Sequence, residues 1–527
     1  MKLPHIILCA LLFSCSSIPA EMTWKAGFDH PLWKGERSGA DIVLLVPQDA
    51  GRLELKVKGP RFVTANWVTM VTGDVLAEGY NQCGSRVRNE WDSLRVADRI
   101  SNEPFADVVA GAENHIWLSV KVPADCKPGS YSGTLTVSGK NLKTSRLPFS
   151  FDVADRTLPS PDKWKFHLDL WQNPYAVARY HNVQLWSDEH FDKMRPVFEL
   201  LAEAGQKVIT ATILDRPWNG QTEDPFGSMV TKYKHADGSW TYDYSVFDKW
   251  VEFMMSLGID RQINCYSMIP WRLSFDYVDA GSGEARQVTA SADSPEYHDY
   301  WVPFLKDFAS HLKDKGWFGK TCIAMDERPL DAMKACLAVI REAEPDFKVA
   351  LAGSYHEEIQ DQLYDLSVTS PEIYAVEDIA ERRSRRYVST YYTCCAEKYP
   401  NTFIASDPFE AVWLGWYAMA KDFDGYLRWA FNSWTADPVN DARFRSWAAG
   451  DCYIVYPDGC SSIRFERLIE GIQDYEKASI LRQEWAAAGE NAKLEAMDAA
   501  LCRFTISTLG KEGPMPAINA ARKLLDD

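Results

Sequence analysis

The sequence lacks several features by which common classes of protein are recognised. It contains 12 cysteines and 10 histidines but no CxxC pair and no cysteine–histidine spacing typical of zinc, so we expect neither a metal nor a cofactor. The formal net charge of -17 would repel nucleic acid and anionic lipid, which argues against both as partners. After residue 20, no apolar run is long enough to span a bilayer. Two cysteine pairs, Cys394 with Cys395 and Cys452 with Cys460, are candidates for disulfides in an oxidising compartment.

Residues 1–20 have the pattern of a secretory signal peptide. Lys2 supplies the positive start, residues 6–13 form an apolar run, and Ala20 ends a small-residue cleavage site. The tetrapeptide that ends at Cys15 also resembles a relaxed bacterial lipobox, in which Cys15 would carry a lipid anchor. We therefore expect an exported protein that is either periplasmic or an outer-membrane lipoprotein, and the choice between these stays open.

The region 22–156 has the pattern of a β-sandwich domain. Residues 115–122 alternate between apolar and polar side chains, a turn at Lys127-Pro128-Gly129 follows, and residues 132–137 alternate again. This rhythm of short antiparallel strands is typical of two packed sheets. Pro159 and Pro161 then make a stiff linker, which predicts a domain boundary.

The region 164–441 alternates between strand-like and helix-like segments. Because about eight such alternations follow one another, the pattern favours a (β/α)8 barrel over an open sheet. The predicted strands lie at residues 165–171, 207–214, 262–268, 320–325, 347–351, 366–369, 388–393 and 426–431. Residues 442–527 are predicted as a C-terminal extension, mostly helical, with one strand at 452–456.

Two adjacent acids, Asp326 and Glu327, directly follow the apolar run 321–325. In barrels of this kind, the active site lies where the strands end, so both carboxylates are candidate catalytic groups. An alternative interpretation is structural: Asp326 would cap the helix that begins near Pro329, and Glu327 would be favoured there by the helix dipole. The residues alone give no reason to prefer either interpretation, and the two are compatible.

Adjacency of the two acids constrains the mechanism. A glycosidase with a protein nucleophile needs two carboxyl groups about 5 Å apart on opposite sides of the bond, usually from different strands. Neighbours at one strand end instead suit a route in which the 2-acetamido oxygen of the substrate attacks the anomeric carbon. A sugar substrate would also agree with the high content of 20 Trp and 23 Tyr, because aromatic faces pack well against sugar rings. A large hydrophobic core would explain the same number of aromatic residues.

Three sequence blocks resemble the C-terminal part of glycoside hydrolase family 123. They are DGYLRWAFNSW at 424–434, GDCYIVYP at 450–457 and SIRFERLIEGIQDYE at 462–476. The resemblance extends over the barrel and much of the sandwich. It implies an exo-acting β-N-acetylgalactosaminidase that uses substrate assistance. The Asp-Glu pair of the family falls on Asp326, as the residue that polarises the acetamido group, and on Glu327, as the acid/base.

Further side chains near predicted strand ends are candidates for substrate binding. Trp429 and Trp434 would form the floor or wall of the acetamido pocket, and Asn432 would donate to a sugar hydroxyl. Tyr355 and Tyr391 are rival partners for the acetamido carbonyl. Core packing is the alternative for each of these residues. The full set of predicted substrate-binding residues is Trp171, Tyr266, Tyr355, Tyr391, Trp429, Asn432 and Trp434.

Two other functions remain open at this level. A retaining glycosidase could keep Glu327 as acid/base and use a separate nucleophile, for example Glu397 or Glu410. A surface glycan-binding protein could keep the barrel without catalysis, because a fold alone proves no function. An intact Asp-Glu pair argues against that last hypothesis, since binding alone does not require two desolvated carboxylates.

Overall fold

The computed structural model describes residues 20–76, 93–372 and 375–526. Residues 1–19 of the predicted signal peptide, including the candidate anchor Cys15, lie outside these residues. The chain divides into two compact units, residues 1–69 with 100–155 and residues 70–99 with 156–527.

In the described residues, the N-terminal region contains ten strands in two five-stranded sheets, in the orders β1-β3-β8-β5-β6 and β2-β10-β9-β4-β7. The strands are β1 Glu21–Ala26, β2 Leu32–Lys34, β3 Arg37–Leu45, β4 Arg52–Lys58, β5 Val63–Asp74, β6 Ser93–Ile100, β7 Phe105–Asp107, β8 Glu113–Lys121, β9 Gly129–Gly139 and β10 Leu142–Thr157. Apolar residues of both sheets, among them Ile42, Leu118, Leu135 and Phe151, form one buried core. The alternating pattern thus places one face of each sheet in that core, and the predicted sandwich is confirmed.

The rest of the chain supplies twelve strands and eleven helices in the described residues. The strands are β11 His167–Leu170, β12 Val208–Thr212, β13 Thr231–Lys234, β14 Trp240–Asp243, β15 Gln262–Tyr266, β16 Ser274–Asp279, β17 Ala285–Thr289, β18 Thr321–Met325, β19 Lys348–Ala352, β20 Asp365–Thr369, β21 Val388–Tyr392 and β22 Gly425–Arg428. The helices are α1 Pro174–His181, α2 Asp188–Glu203, α3 Ser245–Ser256, α4 Pro295–Asp314, α5 Leu330–Ala343, α6 Val376–Ser384, α7 Phe409–Ala420, α8 Ile463–Ala488, α9 Asn491–Leu501, α10 Ile506–Glu512 and α11 Met515–Arg522.

Eight parallel strands form the barrel, in the order β11-β22-β21-β20-β19-β18-β15-β12. The edge strands β11 and β12 meet through a single bridge between Leu168 and Gln206. Side-chain amides complete this seam: the Gln206 carbonyl accepts from the backbone N–H of Leu170 at 3.0 Å, and the Gln172 carbonyl accepts from that of Thr210 at 2.8 Å. The barrel is therefore nearly closed, and the predicted fold class is confirmed.

Three connections depart from a regular (β/α)8 pattern, in two ways. The loops after β12 and β15 carry a small four-stranded sheet in the order β14-β13-β16-β17, which the sequence patterns did not predict. Residues 353–364, all of them described, join β19 to β20 through a single 3-10 turn at Gln360–Gln362 in place of an α-helix. Both departures lie in connections, so the barrel strands keep their order.

Helices α8 to α11 form the predicted C-terminal helical part. Ser462 caps α8, because its hydroxyl accepts a hydrogen bond from the backbone N–H of Phe465 at 3.0 Å. The strand expected at 452–456 is reduced to isolated bridges at Tyr453 and Tyr456. In the described part of the chain, none of the helices combines the length and the apolar character needed to cross a membrane.

Disulfide formation differs from both pairings that the sequence left open. Cys395 is disulfide-bonded, whereas its neighbour Cys394 is a free thiol. Cys452 and Cys460 are also free and buried. The two pairings proposed from the sequence are therefore wrong.

Candidate active site

Asp326 and Glu327 leave the barrel at the carboxyl end of β18. All five residues of this strand are buried, as expected for an interior strand of a parallel sheet. Asp326 remains buried, with 7% of its surface exposed, whereas Glu327 is exposed. The pair therefore lies at the rim where parallel strands of such barrels carry their functional groups.

Both carboxylates line a cavity of about 160 Å³, here called the aromatic cavity. Its wall combines side chains from the ends of several barrel strands. The aromatic residues in the wall are Trp171, Trp218, Trp271, Tyr392, Trp429 and Trp447. Flat apolar surfaces beside two acids are suited to a sugar ring, which presents C–H faces and hydroxyl edges.

Asp326 is held by two neighbours. The indole Nε1–H of Trp271 donates to Oδ2 of Asp326 at 2.5 Å, and Nε of Arg328 lies 3.6 Å from Oδ1. Burial raises the pKa of Asp326 to about 6, while the charge of Arg328 and the hydrogen bond from Trp271 oppose that rise. Asp326 is thus an oriented carboxylate that changes charge near neutral pH.

Glu327 has a different partner. The phenol of Tyr392, at the end of β21, donates a hydrogen bond to Oε1 of Glu327. Burial, reinforced by the negative charge of Glu327, raises the pKa of Tyr392 well above its usual range, so the phenol stays protonated. One carboxylate oxygen of Glu327 is therefore anchored, and the other is left for a ligand.

The remaining aromatic wall is packed tightly. Trp171 stacks on Trp218 with their ring centroids 4.9 Å apart, and both rings contact Tyr266 from behind. On another side, the indole of Trp429 donates to Oδ1 of Asp451 at 3.2 Å. These contacts fix the indole planes, so the wall is largely preformed.

Three of the predicted substrate-binding residues are near the aromatic cavity. Trp171 and Trp429 line it directly. Tyr266 is 1% exposed and supports Trp171 and Trp218 from below.

The other four predicted residues make contacts elsewhere. The Tyr391 phenol donates to the backbone carbonyl of Leu414, and the Tyr355 phenol donates to Asp378. Asn432 exchanges hydrogen bonds with the backbone of Asn173, and the Trp434 indole donates to the carbonyl of Val455. None of these four lines the aromatic cavity.

Several lining residues were not among the predictions. Trp218 and Trp271 follow β12 and β15 and carried the same strand-end signal as Trp171. Tyr392 is the next residue after Tyr391, so strand alternation could have found it. Trp447 comes from the segment after β22 and is held by a hydrogen bond from its Nε1 to the carbonyl of Gln221 at 2.9 Å. No pattern in the sequence indicated it.

The alternative nucleophiles Glu397 and Glu410 are not part of the wall of the aromatic cavity. Oε2 of Glu397 accepts from the backbone N–H of Cys394, and Oε2 of Glu410 accepts from that of Asn401 at 2.8 Å. Burial raises the pKa of Glu410 to about 8, but this residue lines a separate cavity. Across the described residues, no group of three or more histidine, cysteine or acidic side chains is arranged to hold a metal ion.

A parallel barrel with two carboxylates in an aromatic cavity at its carboxyl rim has the architecture of a glycoside hydrolase. Residues 171–481 match the family model for the catalytic domain of glycoside hydrolase 123, and residues 21–139 match that for its N-terminal domain. The chain therefore belongs to glycoside hydrolase family 123.

One solved structure agrees with this assignment. A family 123 glycoside hydrolase from Clostridium perfringens, studied for glycolipid glycan hydrolysis, shares 25% identity and a TM-score of 0.84 over 94% of this chain and 93% of its own. A Bacteroides ovatus family 5 xyloglucanase, at 10% identity, covers 86% of this chain and 100% of its own with a TM-score of only 0.31. The search of curated proteins found no match.

Proposed function

We propose that this glycoside hydrolase removes terminal β-linked N-acetylgalactosamine from glycans or glycolipids, with retention of configuration and with assistance from the substrate. One observation carries the proposal: two adjacent carboxylates, one buried and clamped and the other exposed, border the same aromatic cavity. The Clostridium perfringens relative, which was studied for glycolipid glycan hydrolysis, supports the choice of substrate class.

In this mechanism Asp326 positions the nucleophile. Its carboxylate accepts a hydrogen bond from the acetamido N–H, which turns the acetamido oxygen towards the anomeric carbon. As that oxygen forms its bond to the anomeric carbon, the glycosidic C–O bond breaks and a cyclic oxazolinium-like ion forms. The negative charge of Asp326 stabilises this cation, and such a charge acts strongly in a water-poor site.

Glu327 moves the protons. Its carboxylic acid protonates the leaving oxygen as the glycosidic bond breaks, and its carboxylate then removes a proton from the water that opens the oxazolinium ring. Two displacements at one carbon return the original configuration. Tyr392 holds one oxygen of Glu327, so the other oxygen is directed towards the scissile bond.

A separate protein nucleophile is less consistent with the geometry. Such a nucleophile must reach the anomeric carbon from the side opposite the acid. Glu397 and Glu410 do not line the aromatic cavity, and each accepts a hydrogen bond from a backbone N–H. Substrate assistance needs no such residue, because the acetamido group supplies the attacking atom.

The test compares three aryl glycosides that differ only in the sugar. We expect cleavage of the β-N-acetylgalactosaminide, slower cleavage of the β-N-acetylglucosaminide and no cleavage of the β-galactoside, which lacks the acetamido group. Equal activity on the plain galactoside would contradict substrate assistance. Faster cleavage of the glucosaminide would retain the chemistry but change the proposed sugar.

Export is part of the same proposal. The N-terminal pattern supports a mature protein that is either free in the periplasm, after cleavage at Ala20, or lipidated at Cys15 in the outer membrane. Mass spectrometry of the mature N-terminus distinguishes these forms. An unprocessed Met1 would contradict both.

A further inference from the structure

The N-terminal sandwich contains a cavity of about 670 Å³, which is larger than the aromatic cavity. A second cavity of about 420 Å³ lies beside it. Phe28, Asp29 and Ser150 line both cavities, so the two form one groove, here called the sandwich groove. Every residue of its lining belongs to the N-terminal compact unit, so neither proposed catalytic residue is part of it.

The groove follows from the unequal lengths of two neighbouring strands. Strand β10 has 16 residues, whereas β2, its neighbour in the sheet order, has only three. In the part of the chain that the structure describes, most of this edge of β10 therefore has no strand beside it. Residues 27–31, which follow β1, line the groove instead. A loop at a sheet edge leaves space that a paired strand would fill.

An aromatic side chain at the groove remains exposed. Trp24, in the edge strand β1, has 39% of its surface exposed and lines the groove. Its ring meets that of Phe28 edge-on, with the centroids 6.5 Å apart, and Phe28 contacts the core residue Phe151 at 5.6 Å. Phe28 thus connects the indole to the core. The exposed part of the indole offers a flat apolar surface of the kind that packs against the C–H face of a sugar ring.

Hydrogen-bond acceptors line the same groove. Only 8% of the His30 side chain is exposed, and its Nδ1 has no hydrogen-bond partner among the described residues. Nε2 of His30 lies 3.6 Å from Oε1 of Glu36, which favours a proton on Nε2 and leaves Nδ1 as an acceptor. A buried acceptor without a partner costs free energy, and a ligand hydroxyl would satisfy it. The carboxylates of Asp29 and Asp152 add further acceptors.

The charges of the groove disfavour an acidic ligand. Of the described residues that line it, none is lysine or arginine, whereas Asp29 and Asp152 are both acidic and both exposed. Lys25, next to Trp24 in the chain, pairs with Asp41 at 3.4 Å. A sialylated or sulfated glycan, or an anionic lipid headgroup, would therefore meet uncompensated negative charge. A neutral ligand rich in hydroxyls meets no such cost and supplies the donors that the acceptors need.

We propose that the sandwich groove is a second, noncatalytic site that binds a neutral oligosaccharide. Trp24 packs against one sugar ring. Asp29, Asp152 and His30 accept hydrogen bonds from hydroxyls of this sugar unit and the next. Such a site holds the enzyme on surfaces that carry many glycan chains, where a second contact raises the effective concentration of the substrate. Binding there is independent of the sugar that the barrel cleaves.

Biolayer interferometry of the mature protein on immobilised asialofetuin, a desialylated glycoprotein, measures this binding. We expect Trp24→Ala to raise Kd about tenfold, because aromatic anchors carry a large share of the binding energy of such sites. Asp29→Ala should raise Kd about fivefold through the loss of an acceptor. Both side chains are exposed, so neither change opens the core. On a soluble aryl N-acetylgalactosaminide, kcat/KM should remain that of the unmodified protein, since neither residue lines the aromatic cavity.

Phe105→Ala is the matched control. Phe105 lies on β7 of the same sandwich, has 40% of its surface exposed and is not part of the groove. The Kd of this variant should equal that of the unmodified protein. The site would be overturned by no binding of the unmodified protein to asialofetuin, by an unchanged Kd in both groove variants, or by an equal loss in Phe105→Ala.

Two parallel surfaces identify the occupant of the groove. Fetuin that retains its sialic acids should bind more weakly than asialofetuin, and tighter binding would overturn the preference for a neutral glycan. Enzymatically deglycosylated fetuin should not bind. Binding equal to that of asialofetuin would mean that the groove accepts polypeptide, and would overturn the glycan as its occupant.

Discussion

The mouth and the interior of the barrel both contain buried acids, but they differ in access. At the mouth, burial raises the pKa of Asp326 to about 6, and this residue borders an open cavity. In the interior, burial and the nearby charge of Asp365 raise the pKa of Asp169 to about 7, yet Asp169 does not line the aromatic cavity. A perturbed pKa therefore reports burial in both places. Asp326 differs from Asp169 in that it borders a cavity, and this marks Asp326 as part of the candidate site.

The acids of the interior and of the mouth also differ in their hydrogen-bond partners. Gln262 donates to Asp365 at 2.6 Å, and Asn264 donates to Asp169 at 3.4 Å, so amides from β15 partner the interior acids. At the mouth, the partners Trp271 and Tyr392 themselves line the cavity. The hydrogen bonds of the interior acids thus stay within the barrel. At the mouth, the partners hold carboxylates that border a cavity open to a ligand.

The largest effect expected at the mouth is that of Glu327→Gln. This change keeps the shape and the acceptor for Tyr392 but removes the proton, so kcat/KM on an aryl N-acetylgalactosaminide should fall by about 10²–10⁴-fold. Glu410→Gln is the control, since Glu410 is another glutamate of the barrel region but lines a different cavity. A loss of similar size in both variants would contradict the role assigned to Glu327.

Asp326→Asn should follow, with a loss of about 10²-fold. Asparagine retains the shape but loses the charge that stabilises the oxazolinium-like ion. Because the positive charge of this ion develops only after the substrate has bound, we expect the loss in kcat rather than in KM. Steady-state kinetics separates the two constants, and a change confined to KM would contradict the assigned role.

A smaller effect is expected in the pH dependence of kcat/KM, which should reflect the pKa of Asp326. Below about pH 6, Asp326 becomes protonated and loses its charge, so kcat/KM should decline as the pH falls through that value. Trp271→Phe removes a hydrogen bond that lowers this pKa. The inflection should therefore move to higher pH, and kcat/KM should fall about tenfold.

A tryptophan outside the cavity is the control for that shift. Trp240 begins β14 in the small four-stranded sheet and packs against Tyr277 and Tyr300, so Trp240→Phe should leave the inflection in place. If the inflection does not move in Trp271→Phe, Asp326 is not the group whose protonation lowers kcat/KM at low pH.

The fold could be predicted largely because each barrel strand is a short run of four or five mostly buried residues. Residues 320–325 were predicted as a strand, and the strand is Thr321–Met325. The four-stranded sheet was missed because its strands are short and partly exposed. Ala285–Thr289, for example, has almost no buried residue and owes its form to pairing with β16.

The sequence could predict which strand ends form the candidate site, but not which side chains at those ends face the cavity. On β21, Tyr391 points to α7 and bonds the Leu414 carbonyl, while its neighbour Tyr392 contacts Glu327. Successive side chains of a strand face opposite ways, so a register error of one residue selects the wrong tyrosine.

The interior acid Asp169 gives the smallest expected effect on activity and completes the comparison. The pKa of Asp169 lies at about 7 in the folded protein and near 3.8 when unfolded, so ionisation disfavours the fold as the pH rises between those values. Asp169→Asn removes this cost and can still accept from Asn264. We expect its melting temperature to exceed that of the unmodified protein by a few degrees at pH 8, and the difference to shrink towards pH 4. Activity should change less than tenfold. His167 pairs with Asp365 in the same network, so a difference that does not vary with pH would mean that His167, rather than Asp169, carries the titration.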